Sequence, residues 1–137
     1  MPAHNTLALL GEALQTTDAT VTTLAYFITK PGKCYLFKST VVGLKSDFTA
    51  AAGYGRTATF RTSAAGVLTQ VSTTYAPFSH EDAGAWDCEI VGGTVVLAGS
   101  AGTVPAIILR ITGAAATTIN WRADVEINEV GFEAQQS

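Results

Sequence analysis

At 137 residues the chain is sized for one domain, and its net charge of −3 with only eight scattered Lys and Arg leaves no basic patch of the kind that holds nucleic acid. Hydrophobic residues make up 47% and charged residues 14%, against about 25% charged in ordinary soluble domains. Much of the exterior must therefore be Thr, Ser, Ala and Gly, which suits either a surface covered by neighbours or a Thr-rich β-sandwich. No apolar run approaches the ~20 residues of a membrane helix. The N-terminus lacks the basic-then-apolar pattern of a secretory signal, and no membrane partner is expected.

Residues 1–14 differ in pattern from the rest of the chain. Asn5 is placed to cap a turn, and Leu7, Leu10 and Leu14 recur at three- and four-residue spacing, the stripe of an amphipathic helix. Gly11 interrupts that stripe, and ten residues alone make a marginal helix in water. The segment therefore reads either as an edge strand packed on its own domain or as an arm laid onto a partner, with residues 15–137 forming the domain proper.

From Thr20 to Lys30 the chain alternates loosely with high β-propensity, and Pro31-Gly32 supplies a turn. Lys33 to Phe48 is a long strand with Gly43 as its expected bulge or bend. Phe48 to Tyr54 (FTAAAGY) reads as a loop or a single helical turn. Gly55 to Ala64 resumes a strand, and Ala65-Gly66 turns it back into Val67 to Tyr75 as a hairpin. Residues 77–84 are polar and read as a loop holding His80, Glu81 and Asp82. Ala85 to Val91 alternates Trp86, Cys88 and Ile90 inward with Asp87 and Glu89 outward. Gly92-Gly93 has the composition of a two-residue hairpin turn into residues 94–98.

Residues 104–112 form a further strand, joined to the last one by the small residues of 113–116, a link suited to a hairpin or tight corner. In that last strand Ile119, Trp121, Ala123, Val125 and Ile127 take every second position, with Asn120, Arg122, Asp124, Glu126 and Asn128 between them. A period of two places the apolar set on one face and the polar set on the other, the pattern of a half-buried antiparallel strand. The total is eight or nine strands with turn signals about every ten residues, which specifies an all-β chain: an antiparallel sandwich of jelly-roll type with a short N-terminal arm.

Catalytic chemistry is thinly provided. His4 and His80 are the only histidines. His80-Glu81-Asp82 has ligand-type residues, but neighbours in a loop diverge and no second histidine stands at a usable spacing. Asp87 and Glu89 share a strand face as a glycosidase pair would, yet any exposed strand face offers the same spacing. Gly53-Tyr54-Gly55 lacks the strand–glycine–helix setting of a phosphate loop. No enzyme, metal or cofactor is expected. Cys34 and Cys88 lie within strands and are expected as free thiols. Trp86 and Trp121 phase inward as core residues rather than sugar platforms, whereas Tyr54 and Tyr75, beside expected loops, are the candidate exposed aromatic contacts.

The run LRITGAAATTINWRADVEINEV (109–130) resembles small β-domains of tailed-bacteriophage virion proteins. QTTDATVTTL (15–24), RTATFRT (56–62), LTQV (68–71) and HEDAGAWDCEI (80–90) resemble the same pattern in the same order. The resemblance covers residues 15–130 and implies a non-enzymatic virion structural protein made in the host cytoplasm, with no catalytic residue to carry over. Two roles are implied. The first is a capsid decoration (cement) protein, a homotrimer that grips the major capsid protein with Leu7, Leu10 and Leu14 as a clamp. The shortness of the chain and its lack of a fibrous shaft favour that role. The second is a tail-fibre or baseplate tip that binds a host-surface receptor.

Overall fold

A computed structural model describes residues 4–82, 85–96, 99 and 102–132, with residues 4–12 described for their backbone alone. Nine strands are present among them: β1 (His4–Thr16), β2 (Thr22–Ile28), β3 (Lys33–Lys45), β4 (Ala51–Thr62), β5 (Leu68–Gln70), β6 (Tyr75–Glu81), β7 (Asp87–Val96), β8 (Thr103–Thr112) and β9 (Ile119–Gly131). They form two antiparallel sheets, one of six strands in the order β1-β9-β3-β4-β5 with β6 also on β4, and one of three in the order β2-β8-β7. The chain is all-β and its strands pack as a sandwich, as the sequence pattern specifies.

The inner faces follow from alternation. Ile119, Trp121, Ala123, Val125 and Ile127 of β9 are all buried, and the polar residues between them face away. β9 pairs without interruption to β3 from Lys33↔Gly131 to Lys45↔Ile119, which brings Tyr35, Phe37 and Val41 to the same inner side. The smaller sheet answers with Ile107, Leu109 and Ile111 of β8 and Cys88 and Ile90 of β7. Phe27 on β2 meets Tyr35 edge-on at 5.4 Å, an inter-sheet aromatic contact. Both tryptophans lie in this core. Trp86 meets Trp121 edge-on at 5.6 Å, and the Trp121 indole N–H donates to Thr16 Oγ1 at 2.9 Å. Cys34 and Cys88 are free.

Several local expectations are corrected. Gly43 is no bulge: β3 keeps register with both neighbours through it. A β-carbon there would stand 2.8 Å from the Trp121 ring, so glycine is required for the indole to lie against the strand. Gly92-Gly93 is no turn either. β7 runs straight through and pairs with β8 from Asp87↔Thr112 to Val96↔Thr103. Added at Gly92, a β-carbon would meet the Phe60 ring at 3.1 Å, so packing explains that glycine.

Residues 77–84, read as a loop, begin as strand β6, which uses the edge of β4 that the short β5 leaves open. The link 113–116 makes a corner and no hairpin, because β8 and β9 belong to different sheets. The N-terminal stretch is no helix. Its backbone extends along β9 from His4↔Val130 to Thr16↔Ile119, with one register shift between Thr6 and Leu9. A thirteen-residue open edge on β9 offers more backbone hydrogen bonds than a ten-residue glycine-interrupted helix can make for itself.

Candidate interaction surfaces

The residues singled out from sequence disperse. Tyr54 is corrected: it is 1% exposed and belongs to the core. The FTAAAGY stretch enters β4 at Ala51, so Tyr54 sits mid-strand on the inward side with Ala52 and Arg56. Its hydroxyl donates to Glu81 Oε2 at 2.5 Å, and burial together with that carboxylate raises its pKa far above the ordinary 10. Tyr75 is 67% exposed at the start of β6. Leu14 is half-buried and packs against the core, while the side chains of Leu7 and Leu10 lie outside the described residues.

The polar cluster His80-Glu81-Asp82 is committed to structure. His80 stands edge-on to Phe78 at 5.4 Å, Glu81 accepts from Tyr54, and Asp82 Oδ1 accepts the Ala51 N–H at 2.8 Å. Glu89 is likewise taken, accepting from Arg110 Nε at 2.7 Å across β7 and β8. No group of three His, Cys, Asp or Glu side chains among the described residues could hold a metal. Cys88 is inert by burial, its pKa pushed up to about 12.

The structure adds a buried arginine that no sequence signal marks. Arg56 lies under β6, its Nη1 donating to the Gly55 and Phe78 carbonyls at 2.9 Å each and its Nε to the Cys88 carbonyl at 2.8 Å. The guanidinium also lies 5.0 Å from the centre of the Tyr54 ring. One side chain thus ties β6 to β4 and the large sheet to β7. The RTATFRT pattern marks Ala58 and Phe60 as inward, and Arg56 shares their parity, but nothing local announces three carbonyls waiting for it.

What remains is surface, and the two outward faces differ. On the large sheet, register aligns Lys38 with Glu126, Thr40 with Asp124, Val42 with Arg122 and Leu44 with Asn120. This face is mixed in charge, with Val42 and Leu44 exposed at one end. Beside them the β3–β4 turn presents Phe48, 79% exposed and at φ 65°, a backbone region that a bulky residue rarely occupies. Further along, the Phe78 ring covers Gly55, where a β-carbon would stand 2.5 Å from it.

On the small sheet the rows read Thr23, Arg110 and Glu89; then Tyr26, Ile108 and Val91; then Ile28, Ala106 and Gly93; then Val104 and Val95. Apart from the Arg110–Glu89 pair and Asp87 at one end, those rows are uncharged. Tyr26 is 48% exposed, and Ile28, Val91, Val95, Val104 and Ile108 are half-buried.

No family model matches the chain, and no curated protein matches it. Among solved structures, the tailspike protein of Acinetobacter baumannii phage AM24 aligns with 94% of this chain at 8% identity and a TM-score of 0.41. The chain spans 27% of that tailspike's length. Similarity of that degree carries no inference about what this chain does.

Proposed function

We propose that the chain is a non-enzymatic structural protein of a tailed-phage virion that works by assembly, its first placement being the shell, as a decoration protein bound to the major capsid protein. The observation that carries assembly is the distribution of exposed apolar side chains. Val42, Leu44 and Phe48 at one end of the large sheet and Tyr26 on the small one stand on a low-charge exterior. Apolar surface left in water is what a partner later covers. The phage element of the reading comes from the ordered sequence motifs of residues 15–130. A decoration protein touches several shell subunits at once, so modest contacts become durable through multivalency.

A second placement, the tip of a tail fibre or baseplate, is favoured by the likeness of the 109–130 run to fibre-end domains, with exposed Tyr75 and Phe78 on the β6 edge as receptor contacts. Copy number per purified virion, measured by quantitative mass spectrometry against the major capsid protein, separates the two. A value near the capsid subunit count is expected for decoration. A value of a few to a few tens moves the chain to the tail, and absence from the particle overturns both.

A further inference from the structure

We propose that the outward face of the three-stranded sheet is the surface on which a second copy of this chain docks. The proposal rests on the assembly reading and names the partner of one face. Antiparallel sheets with a solvated side alternate apolar and polar residues, and the small sheet breaks that rule. Its outward positions are Tyr26 and Ile28 on β2, Ala106, Ile108 and Val104 on β8, and Val91 and Val95 on β7. Ala106 is fully buried yet stands outside the core cluster, and Ile108 leans over Gly93, where a β-carbon would lie 3.0 Å from Cδ1. Ala106 and Ile108 at the centre of the face are therefore packed in place, with the other outward side chains in register around them.

Charge selects the occupant. The centre of the face carries no charge, and at its end Arg110 and Glu89 neutralise each other at 2.7 Å, leaving Asp87 at the margin. Charge that would single out a differently charged partner lies on the mixed-charge outer face of the large sheet and not at the centre of this one. A copy of the same neutral, apolar face meets no like-charge penalty at its centre. Three strands about 4.8 Å apart and four rows about 6.7 Å apart give roughly 400 Å² of sheet plane per copy. With the relief of the side chains, two copies bury about 1,000 Å², the lower bound for a specific interface, which puts the association among the weak, reversible ones.

Sedimentation velocity of the purified chain from about 1 to 500 μM tests this directly. The wild type is expected to shift from monomer to a heavier species over that range. Ile108→Lys in the middle of the face, and the milder Tyr26→Ser, should each raise the dissociation constant at least tenfold, while Val42→Lys on the opposite outward face leaves it unchanged. Should Ile108→Lys fail to fold, Tyr26→Ser decides, since its half-exposed ring lies outside the core. A wild type that stays monomeric throughout, or an association untouched by the folded face variants, overturns the proposal. Neither result bears on the virion reading, which copy number tests separately: a monomer found in virions sinks the face alone, and a self-associating chain absent from virions sinks the virion placement alone.

Discussion

The two sheets use the same alternation for different ends. In the six-stranded sheet, β3 and β9 send one set of residues to the core and expose Lys38, Thr40, Arg122 and Asp124, with Glu126 half-buried beside them. In the three-stranded sheet, β8 carries apolar residues on both sides, with Ile107, Leu109 and Ile111 inward and Val104, Ala106 and Ile108 outward before Arg110. A strand apolar on both sides belongs between two layers, and the described residues supply one. Alternation marks a core on one side of a sheet, whereas its failure in β8 marks an apolar outer face.

The largest expected effect tests the inner side of that contrast. Trp121→Ala removes a buried indole, its bond to Thr16 and its edge contact with Trp86, and should lower stability by about 3–5 kcal/mol in a urea titration. Val91→Ala on the outside of the small sheet should cost under about 1 kcal/mol in the monomer. An equal loss from the two would mean that the outer face is already core, and the comparison would fail.

Arg56→Met probes the joint between the sheets. It leaves the carbonyls of Cys88 and Phe78 without their donor in a buried setting, so a loss of about 2–4 kcal/mol is expected. Arg56→Lys should recover little, because one ammonium cannot span three carbonyls. Wild-type stability in the methionine variant would show that the joint is held by apolar packing alone.

Alkaline pH acts on the same joint. Both Cys88 and Tyr54 have folded-state pKa values raised above their ordinary 9 and 10, Cys88 to about 12. Raised values mean that the folded state holds its protons longer than the unfolded chain. Their contribution is complete below pH 9 and is lost as pH climbs through the folded values. Urea midpoints should therefore be flat to pH 9 and fall above it, and Cys88→Ala should postpone the onset to about pH 10.

The smallest effect has the opposite sign. Phe48→Gly relieves a positive φ at an exposed tip and should stabilise the isolated chain by about 0.5–1 kcal/mol. A loss of stability instead would mean that the ring already packs on its own sheet and is no part of the exposed surface.

Elements whose signal is local are legible in the sequence. The alternation of 119–128, the strand from Lys33, the turn at Pro31-Gly32 and the inward phase of Trp86 and Trp121 each depend on neighbours within a few residues. Legibility ends where the deciding partner is distant. The small residues before Tyr54 look like a loop and suggest an exposed ring, yet β3 and β6 on either side draw that stretch into the sheet. Strand β6 has a proline and no alternation, and only the open edge of β4 makes it a strand. Leu7, Leu10 and Leu14 have helical spacing, and the unpaired edge of β9 overrides it.

By itself, then, the order of residues determined the class of the fold and the part of its core that lies on alternating strands, since burial of alternate apolar side chains is a property each strand carries alone, whereas Tyr54 joined the core only through its neighbours. Which sheet a strand joins, which arginine is buried and which apolar face is left uncovered were decided by the tertiary structure, because hydrogen-bonded edges and packed faces are shared between segments more than a hundred residues apart, as the bond between Thr16 and Trp121 illustrates.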